Sequence, residues 1–275
     1  MCEDAQQVAN LMTPAVIAAD RKFDIIEGAA GAILGLLALY QKTENPVVLE
    51  RAIACGQHLL KDRKATYSLK SPTSKALTGF SHGAAGIAYS LLRLYGVTGD
   101  SAYLDTACAA IAYENSLFYP ATGNWREVTP IYDPSAPPVF WSTWCHGAPG
   151  IALGRLGGLS IYQTEQILTD IEVSLQTTYN TNLQSIDTLC CGNLGRAEVF
   201  LVAVQKLNSP QWLQTAQELA AMVVRRATQT GQYQLLGNFQ NSVFSPSFFK
   251  GSAGIGYQLL RLAYPEALPS VLLWE

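Results

Sequence analysis

The fold of this chain is decided by a stretch that reads Trp144-Cys145-His146-Gly147-Ala148-Pro149-Gly150. It contains two glycines three residues apart, and His146 stands directly before the first of them. This Gly-x-x-Gly motif occurs five times, at Gly28–Gly31, Gly83–Gly86, Gly147–Gly150, Gly192–Gly195 and Gly251–Gly254. The motif starts lie 45 to 64 residues apart, a period that is typical of a repeated helix pair.

Reactive side chains precede these motifs in a single register. The residues directly before the first glycine are Glu27, His82, His146, Cys191 and Lys250, and one position earlier stand Cys145 and Cys190. Each is expected where a helix begins, and there the helix dipole and the free N–H groups favour an anion such as a thiolate. Because a repeat brings equivalent positions to one end of a fold, the register indicates a site.

Composition limits the class of protein. Of 275 residues, 49% are apolar and 14% are charged, which predicts a large core and argues against disorder. The net charge is −3 and no basic block occurs, so nucleic-acid binding has no electrostatic support. We expect a single domain over residues 1–275.

The lengths of the apolar stretches bear on the cellular location of the protein. The first twenty residues contain no signal-peptide run, and the longest apolar stretch, residues 28–40, is too short to span a bilayer. These features predict a cytoplasmic protein with no transmembrane segment. In that compartment the six cysteines are expected to be reduced, and clustered ones to be metal ligands or catalytic groups.

Each motif is followed by a segment that is apolar on nearly every face, as expected of a helix that is buried all round. These segments are 32–40, 87–95, 151–159, 197–207 and 255–263. Amphipathic segments lie between them, at 47–60, 102–117, 163–179 and 211–228. The alternation predicts an all-α fold in which an inner ring of helices is wrapped by an outer ring, an α/α toroid.

Three long connections lead into the predicted inner helices, at 65–81, 119–144 and 231–249. Loops of this length in a compact domain are usually functional. They should border the same rim, where they either form a groove of peptide size or only cover the mouth of the barrel.

Cys145, Cys190 and Cys191 are the best candidates for metal ligands. Zinc favours thiolates, and three protein ligands with one open position make a catalytic arrangement. Three other interpretations stay open: buried free thiols, a strained disulfide between Cys190 and Cys191, and a closed structural zinc site that uses His146.

His82 precedes a motif without a neighbouring cysteine, which makes it a candidate for proton transfer. A structural histidine is the alternative. Asp24 and Glu27 precede the first motif, and a carboxylate there either orients His82 or caps the helix. His146 is open to three roles: ligand, acid, or partner of a ligand. His58 lies in a predicted outer helix and is expected to be structural.

Four ordered stretches carry a resemblance to a known family, and together they are highly specific. They are Phe23-Asp24-Ile25-Ile26-Glu27-Gly28, Gly79-Phe80-Ser81-His82-Gly83, Trp144-Cys145-His146-Gly147 and Cys190-Cys191-Gly192-Asn193. Through them essentially the whole chain resembles the cyclases of lanthipeptide biosynthesis, the LanC family. It is most similar to the C-terminal cyclase domain of a class II synthetase, LanM.

The resemblance implies an α/α toroid with Zn²⁺ at the barrel mouth. Cys145 and Cys190 match the two cysteine ligands of the family, and Cys191 falls where many members have a histidine, as in the three-cysteine subgroup. His82 matches the active-site histidine and Asp24 its partner. His146, Trp144 and Trp141 are expected to line the site, with Trp141 where some cyclases have an arginine.

Two departures from the family bear on completeness. Family members have about seven helical repeats and five motifs are present here, so the first repeats are expected to be missing and the toroid to be open. No dehydratase domain precedes the cyclase-like region. We therefore expect a fragment, a split gene product or a degenerate protein, with a separate dehydratase or the N-terminal part of a synthetase as partner.

The function implied is zinc-dependent addition of peptide cysteine thiols to dehydroalanine or dehydrobutyrine, which forms lanthionine or methyllanthionine in a dehydrated precursor peptide. One alternative is addition of glutathione to dehydroamino acids, as in LanC-like proteins of eukaryotes. A second is a zinc-stabilised helical scaffold that binds peptides without catalysis. A third, an α/α-barrel glycosidase, needs paired carboxylates, and only Asp24 and Glu27 are evident candidates.

Overall fold

The computed structural model describes residues 2–66, 77–128, 137–235 and 244–275, and within these ranges the chain is mostly helical, with loops between the helices. Two short strands, β1 (Phe118–Tyr119) and β2 (Asn124–Trp125), form an antiparallel hairpin in which Phe118 lies opposite Trp125. The helices are α1 (Cys2–Asn10), α2 (Pro14–Ala19), α3 (Ala29–Thr43), α4 (Pro46–Thr66), α5 (Ala84–Thr98), α6 (Ser101–Asn115), α7 (Ala148–Gly158), α8 (Glu165–Asn180), α9 (Asn193–Leu207), α10 (Gln211–Thr230) and α11 (Ser252–Ala263).

Helices that follow a motif form the inner layer, and the helices between them form the outer layer. Each inner helix α3, α5, α7 and α9 packs on the outer helix that follows it in sequence. Along the inner layer, α3 contacts α5, α5 contacts α7, α7 contacts α9 and α9 contacts α11. This is the predicted all-α arrangement, an α/α toroid with inner and outer helices.

Burial explains the division between the layers. Every residue of α7 is buried, including its four glycines and Arg155. The outer helix α10 instead buries one face, formed by Ala216, Leu219, Ala220, Val223 and Ala227. Because an inner helix has neighbours on all sides, its sequence lacks the polar face that marks an amphipathic helix.

Capping side chains set the starts of the outer helices. The carboxylate of Asp100 accepts from the N–H of Ala102 at the start of α6, as the sequence indicates. The hydroxyl of Thr164 accepts from the N–H of Ile167, so α8 begins at Glu165 and not at residue 163.

Helices α1 and α2 were not predicted. They contain no Gly-x-x-Gly motif, and α1 packs on α3 while α2 packs on α4. Thr13 caps α2 through a bond from the N–H of Val16, and Pro14 occupies its first turn. None of the described helices is both long and apolar enough to cross a membrane.

The second glycine of every motif is required by a close backbone approach. A Cβ atom there would overlap the carbonyl oxygen of the residue six positions earlier, so the preceding loop folds directly over the first turn of the inner helix. The pairs are Gly31 with Ile25, Gly86 with Phe80, Gly150 with Trp144, Gly195 with Leu189 and Gly254 with Phe248. The same loop conformation thus occurs five times, and it places equivalent residues at one end of the inner layer.

Candidate functional site

The two residues that precede each motif, here called the pre-motif pairs, meet at one cavity of about 330 Å³. Apart from the pre-motif pairs, the cavity is lined by Trp144, Ser247 and Phe248. Glu27 does not line it, and its carboxylate lies 3.1 Å from the ammonium group of Lys22. The members that do line it are Ile26, Ser81, His82, Cys145, His146, Cys190, Cys191, Phe249 and Lys250.

Three thiols converge on one side of the cavity. The Sγ atom of Cys191 lies 3.3 Å from that of Cys145 and 3.2 Å from that of Cys190. All three sulfurs lie within 4.8 Å of one another, and no other such group of potential ligands occurs in the described parts of the chain. The thiols are free, so the structure contains no disulfide between Cys190 and Cys191.

The three thiols fit a thiophilic metal such as zinc. Cys145 and Cys190 are buried, while Cys191 is partly exposed toward the cavity. Thiolates are preferred ligands of zinc, and three of them leave one tetrahedral position for a further ligand. All three cysteines line the cavity, so the donor set and its surroundings both suit a metal with an exchangeable position.

Hydrogen bonds within the cluster favour ionisation at Cys191. Hydrogen bonds shared with Cys145 and Cys190 lower the pKa of Cys191 to about 3, and the positive charges of Lys250 and His146 act in the same direction. The pKa of Cys190 is raised, first by its bonds to the other two thiols and then by burial. The cluster therefore favours a thiolate at Cys191 over one at Cys190.

His82 is paired with Asp24. The Nδ1 atom of His82 lies 2.7 Å from Oδ2 of Asp24, and this bond is the largest of the effects that raise the pKa of His82 above 6.5. Oδ1 of Asp24 accepts from the N–H groups of Ile26 and Glu27, at 3.0 and 2.8 Å. Of the two alternatives that the sequence left open, Asp24 meets the first, because it holds the imidazole. It bonds to its own turn and does not cap helix α3, whose first N–H, that of Ala29, donates to Asp20.

His146 is paired with a second carboxylate, which the sequence analysis missed. Its Nδ1 atom lies 3.1 Å from Oε2 of Glu127, whose side chain is almost fully buried. Glu127 follows the β1–β2 hairpin and lies far from any motif, so no local pattern identifies it. The rings of His82 and His146 have their centroids 6.3 Å apart, and each of these two histidines of the cavity thus has its own carboxylate.

Trp141 is placed differently from the sequence expectation. Its side chain is 51% exposed and does not line the cavity. The main chain of Trp141 supports the loop, because its carbonyl oxygen accepts a hydrogen bond from Nδ2 of Asn124. The same oxygen occupies the place that a Cβ atom on residue 147 would need, and Gly147 has a φ of +79°. Trp144 does line the cavity, and its ring stacks on that of Phe249 with centroids 5.6 Å apart.

Buried carboxylates hold the loops that carry the site. Glu114 accepts from the N–H of Gly79, three residues before His82, and pairs with Arg155 of α7 at 3.0 Å. Asp187, in the loop before Cys190, accepts from Nδ2 of Asn193 and from the N–H of Gln234. Neither acid was identified from sequence, because each acts on residues distant along the chain or within an irregular loop.

The three long connections are described only in part. Residues 67–76, 129–136 and 236–243 lie outside the described ranges, so the predicted peptide groove stays a prediction. Of these connections, Ser81, Trp144 and Ser247 reach the cavity.

The remaining cysteines and His58 lie away from the cavity. Cys55 is buried in α4, Cys108 is partly buried in α6, and Cys2 is exposed in α1. His58 packs its ring on Phe23 and contacts the carbonyl of Asp20, which is a structural role.

Comparison with known proteins gives a family match over nearly the whole chain. The family model described as lanthionine synthetase C-like protein matches residues 2–273. Among solved structures, nisin cyclase is similar with a TM-score of 0.70 and 19% sequence identity; the match covers 92% of this chain and 66% of that one. This chain therefore spans slightly less than two thirds of the length of nisin cyclase, and the likeness shows the fold.

Proteins that act on sugars share the architecture. An α-mannanase of glycoside hydrolase family 76 from Bacteroides thetaiotaomicron matches with a TM-score of 0.63 and 17% identity, covering 87% of this chain and 69% of its own. A polysaccharide lyase matches with a TM-score of 0.57 and 12% identity, covering 86% and 73%. No Asp or Glu is among the described residues that line the cavity, so the site lacks the carboxylate pair of a glycosidase.

Proposed function

The chain belongs to the lanthionine synthetase C-like family, and on that basis we propose that it catalyses thioether formation in a dehydrated peptide. The substrate is a precursor peptide that contains cysteine together with dehydroalanine or dehydrobutyrine. The product is lanthionine or methyllanthionine. We also propose the class II synthetase subtype, a cytoplasmic location, and a dehydratase, separate or in the same synthetase, as the partner that supplies the substrate.

One observation carries this proposal: the three thiols and His82, whose ring is hydrogen-bonded to Asp24, line the same cavity. The reaction has two requirements, a thiolate nucleophile and a proton for the carbon that becomes Cα of the thioether. A cluster able to hold a metal next to a group able to donate a proton meets both. Neither feature alone separates this reaction from simple metal storage or from a structural histidine.

Cys145, Cys190 and Cys191 would hold zinc. When bound there, zinc supplies a cation that lowers the pKa of a peptide thiol and so stabilises its thiolate. Since three thiolates already place a net negative charge on such a site, the substrate thiolate is expected to be a strong nucleophile but weakly acidified.

His82 supplies the proton. The sulfur adds to the β-carbon of the dehydro residue, the C=C π electrons move toward the carbonyl oxygen, and the resulting enolate takes a proton at Cα. The raised pKa of His82 keeps the imidazole protonated at higher pH than a free histidine. Asp24 orients the ring through Nδ1, which leaves Nε2 to donate the proton, and its charge stabilises the imidazolium.

Lys250 supplies positive charge to the same cavity. It is the one Lys or Arg among the described residues that line the cavity, and it occupies the same register as His82 and Cys191. We propose that its ammonium group stabilises the negative charge that develops on the carbonyl oxygen during addition. Charge that is already in place when the transition state forms lowers the barrier without reorganisation.

The test is conversion of a dehydrated, cysteine-containing peptide, followed by thiol alkylation and mass spectrometry. The wild-type protein should protect cysteines from alkylation, and the His82→Ala variant should protect far fewer. Equal protection by the two proteins would overturn the proposal. A parallel reaction with glutathione and a cysteine-free dehydrated peptide distinguishes ring formation from the alternative, because only a glutathione transferase adds the tripeptide mass.

A further inference from the structure

His146 is close to the three thiols but is not one of the group that can hold a metal. It follows Cys145 directly and lines the same cavity as Cys190 and Cys191. A site with three cysteines and one histidine is a common closed zinc arrangement. In the described part of the chain, however, the group of potential ligands consists of three sulfurs and includes no nitrogen of His146.

The imidazole is tied instead to Glu127. Nδ1 of His146 lies 3.1 Å from Oε2 of Glu127, and the carboxylate side chain is only 6% exposed. Neither atom has a hydrogen-bond partner of good geometry among the described residues, so the contact is a close polar pair whose N–H is not aimed straight at the oxygen.

The main chain fixes the position of this carboxylate. The N–H of Glu127 donates to the carbonyl of Val139 at 2.8 Å, and the N–H of Arg126 donates to the carbonyl of Leu117 at 2.9 Å. The hydroxyl of Thr78 donates to the carbonyl of Arg126. Since three separate segments hold residues 126–127, the carboxylate is a fixed anchor for the ring.

We infer that Glu127 is a positioning residue that holds His146 outside the coordination shell of the metal and so keeps the fourth position open for the substrate thiol. The inference rests on the proposed function, because it concerns the metal that the three thiols would hold. It adds a role for a residue that takes no part in the proton transfer by His82. It also explains why a potential fourth ligand stands beside Cys145 in an enzyme that needs an open site.

One opposite arrangement must be distinguished. A histidine that binds zinc through Nε2 commonly donates its Nδ1–H to a carboxylate. In that arrangement, Glu127 would orient His146 so that its Nε2 atom binds the metal, and the imidazole would occupy the fourth coordination position. The number of imidazole ligands in the wild-type protein separates the two cases directly.

The experiment is X-ray absorption at the zinc edge on four zinc-loaded proteins: wild type, Glu127→Leu, Glu127→Gln and the double variant Glu127→Leu/His146→Phe. The wild type should show three sulfurs, one light ligand and no imidazole scattering. Glu127→Leu frees the ring and should gain one imidazole. Glu127→Gln keeps an oxygen that can accept from Nδ1–H and should resemble the wild type. The double variant, which has no ring to release, should lose the imidazole signal again.

A second readout measures access to the open position. Each protein is loaded with Co²⁺ and titrated with 2-mercaptoethanol, while the sulfur-to-cobalt charge-transfer band reports binding of a fourth thiolate. The Glu127→Leu variant should need about tenfold more thiol than the wild type, since changing the partner of a metal-site histidine alters binding by 10- to 100-fold. Glu127→Gln and the double variant should return toward the wild-type value.

The outcomes are distinct. Imidazole scattering in the wild type, or identical spectra for the wild type and Glu127→Leu when circular dichroism shows both folded, overturns the role of Glu127 and leaves the proposed function in place. If Glu127→Leu does not fold, the wild-type spectrum alone still overturns the inference when it contains imidazole scattering. Failure of the wild type to bind either metal overturns the proposed function itself.

Discussion

The Nδ1 atom of His82 lies 2.7 Å from one carboxylate oxygen of Asp24, and the other oxygen of Asp24 accepts two N–H groups of its own turn. One carboxylate thus holds the turn before an inner helix and the ring of a histidine on the next repeat. Because the raised pKa of His82 depends first on this bond, the pair is expected to set the pH range of the reaction.

Replacing Asp24 with Asn should lower the pKa of His82 and reduce the cyclisation rate by about tenfold or more. The pKa of His82 is higher in the folded protein than the value near 6.5 of an unfolded chain, so protonation of His82 stabilises the fold. This stabilisation is fully present below about pH 6.5 and is lost as pH rises through the pKa of the folded state. Because His82 donates a proton only in its protonated form, a lower pKa of His82 should move the alkaline limit of activity to lower pH in Asp24→Asn. Rate–pH profiles and NMR titration of the imidazole test this; an unchanged limit would contradict the assigned role.

Two substitutions of Cys191 distinguish the loss of a zinc ligand from a loss of folding. Cys191→Ser should lose most of the bound zinc, because a serine hydroxyl does not ionise near neutral pH. Cys191→His should retain about one zinc per chain, since a neutral imidazole nitrogen can replace the thiolate. Metal analysis after dialysis gives the stoichiometry, and equal zinc in the Ser and wild-type proteins would show that Cys191 is not a ligand.

Lys250 should affect the rate more than substrate binding. Lys250→Met removes the charge and should lower kcat with little change in KM, as expected for an interaction made only in the transition state. Lys250→Arg keeps the charge and should recover part of the rate. Zinc content serves as the control, and a loss confined to KM would assign Lys250 to peptide binding and not to catalysis.

The repeated loop conformation predicts which glycines tolerate a methyl group. Gly195→Ala forces a Cβ into the carbonyl oxygen of Leu189 and should destabilise the protein by about 3 kcal/mol or more. Gly256 is the matched control, because it lies in inner helix α11 and a Cβ there meets nothing within 4 Å. Gly256→Ala should raise stability by roughly 0.5–1 kcal/mol. Chemical denaturation of the two variants measures the difference.

The buried pair of Arg155 and Glu114 should be costly to break. Arg155→Met leaves a fully buried carboxylate that burial already disfavours in its charged form. We expect a loss of about 3–5 kcal/mol in the free energy of unfolding. The surface pair of Lys206 and Glu275, at 2.8 Å, is the control, and Lys206→Met should cost less than about 1 kcal/mol.

The architecture follows from local patterns that the sequence displays openly. A buried helix after each motif and a capped amphipathic helix between motifs are features of contiguous residues, so α5 and α10 begin close to where the pattern indicates. Helices α1 and α2 lack the motif and gave no comparable pattern.

The site was predictable only where it shares the register of the repeat. His82 and the three cysteines stand beside motifs, and the structure brings them to one cavity. Their roles stay predictions until tested. Glu127 and Glu114 could not be found this way, because the residues they contact are brought to them by tertiary packing. Trp141 was expected in the site, but its side chain is 51% exposed and does not line the cavity, while its carbonyl oxygen packs against Gly147 of the motif.

The five loops are fixed by contacts between main-chain atoms and by carboxylates outside the pre-motif pairs, such as those of Asp24, Glu114 and Asp187. The side chains of the pre-motif pairs take little part in these contacts. The scaffold therefore places few demands on what those ten positions carry. Acid, imidazole, thiol, amine and hydrocarbon already occupy them in this one chain. Substitutions at these positions can change the reactive groups of the cavity while the fold is kept. A library that varies only the pre-motif pairs is therefore a practical starting point for new reactions in the same cavity.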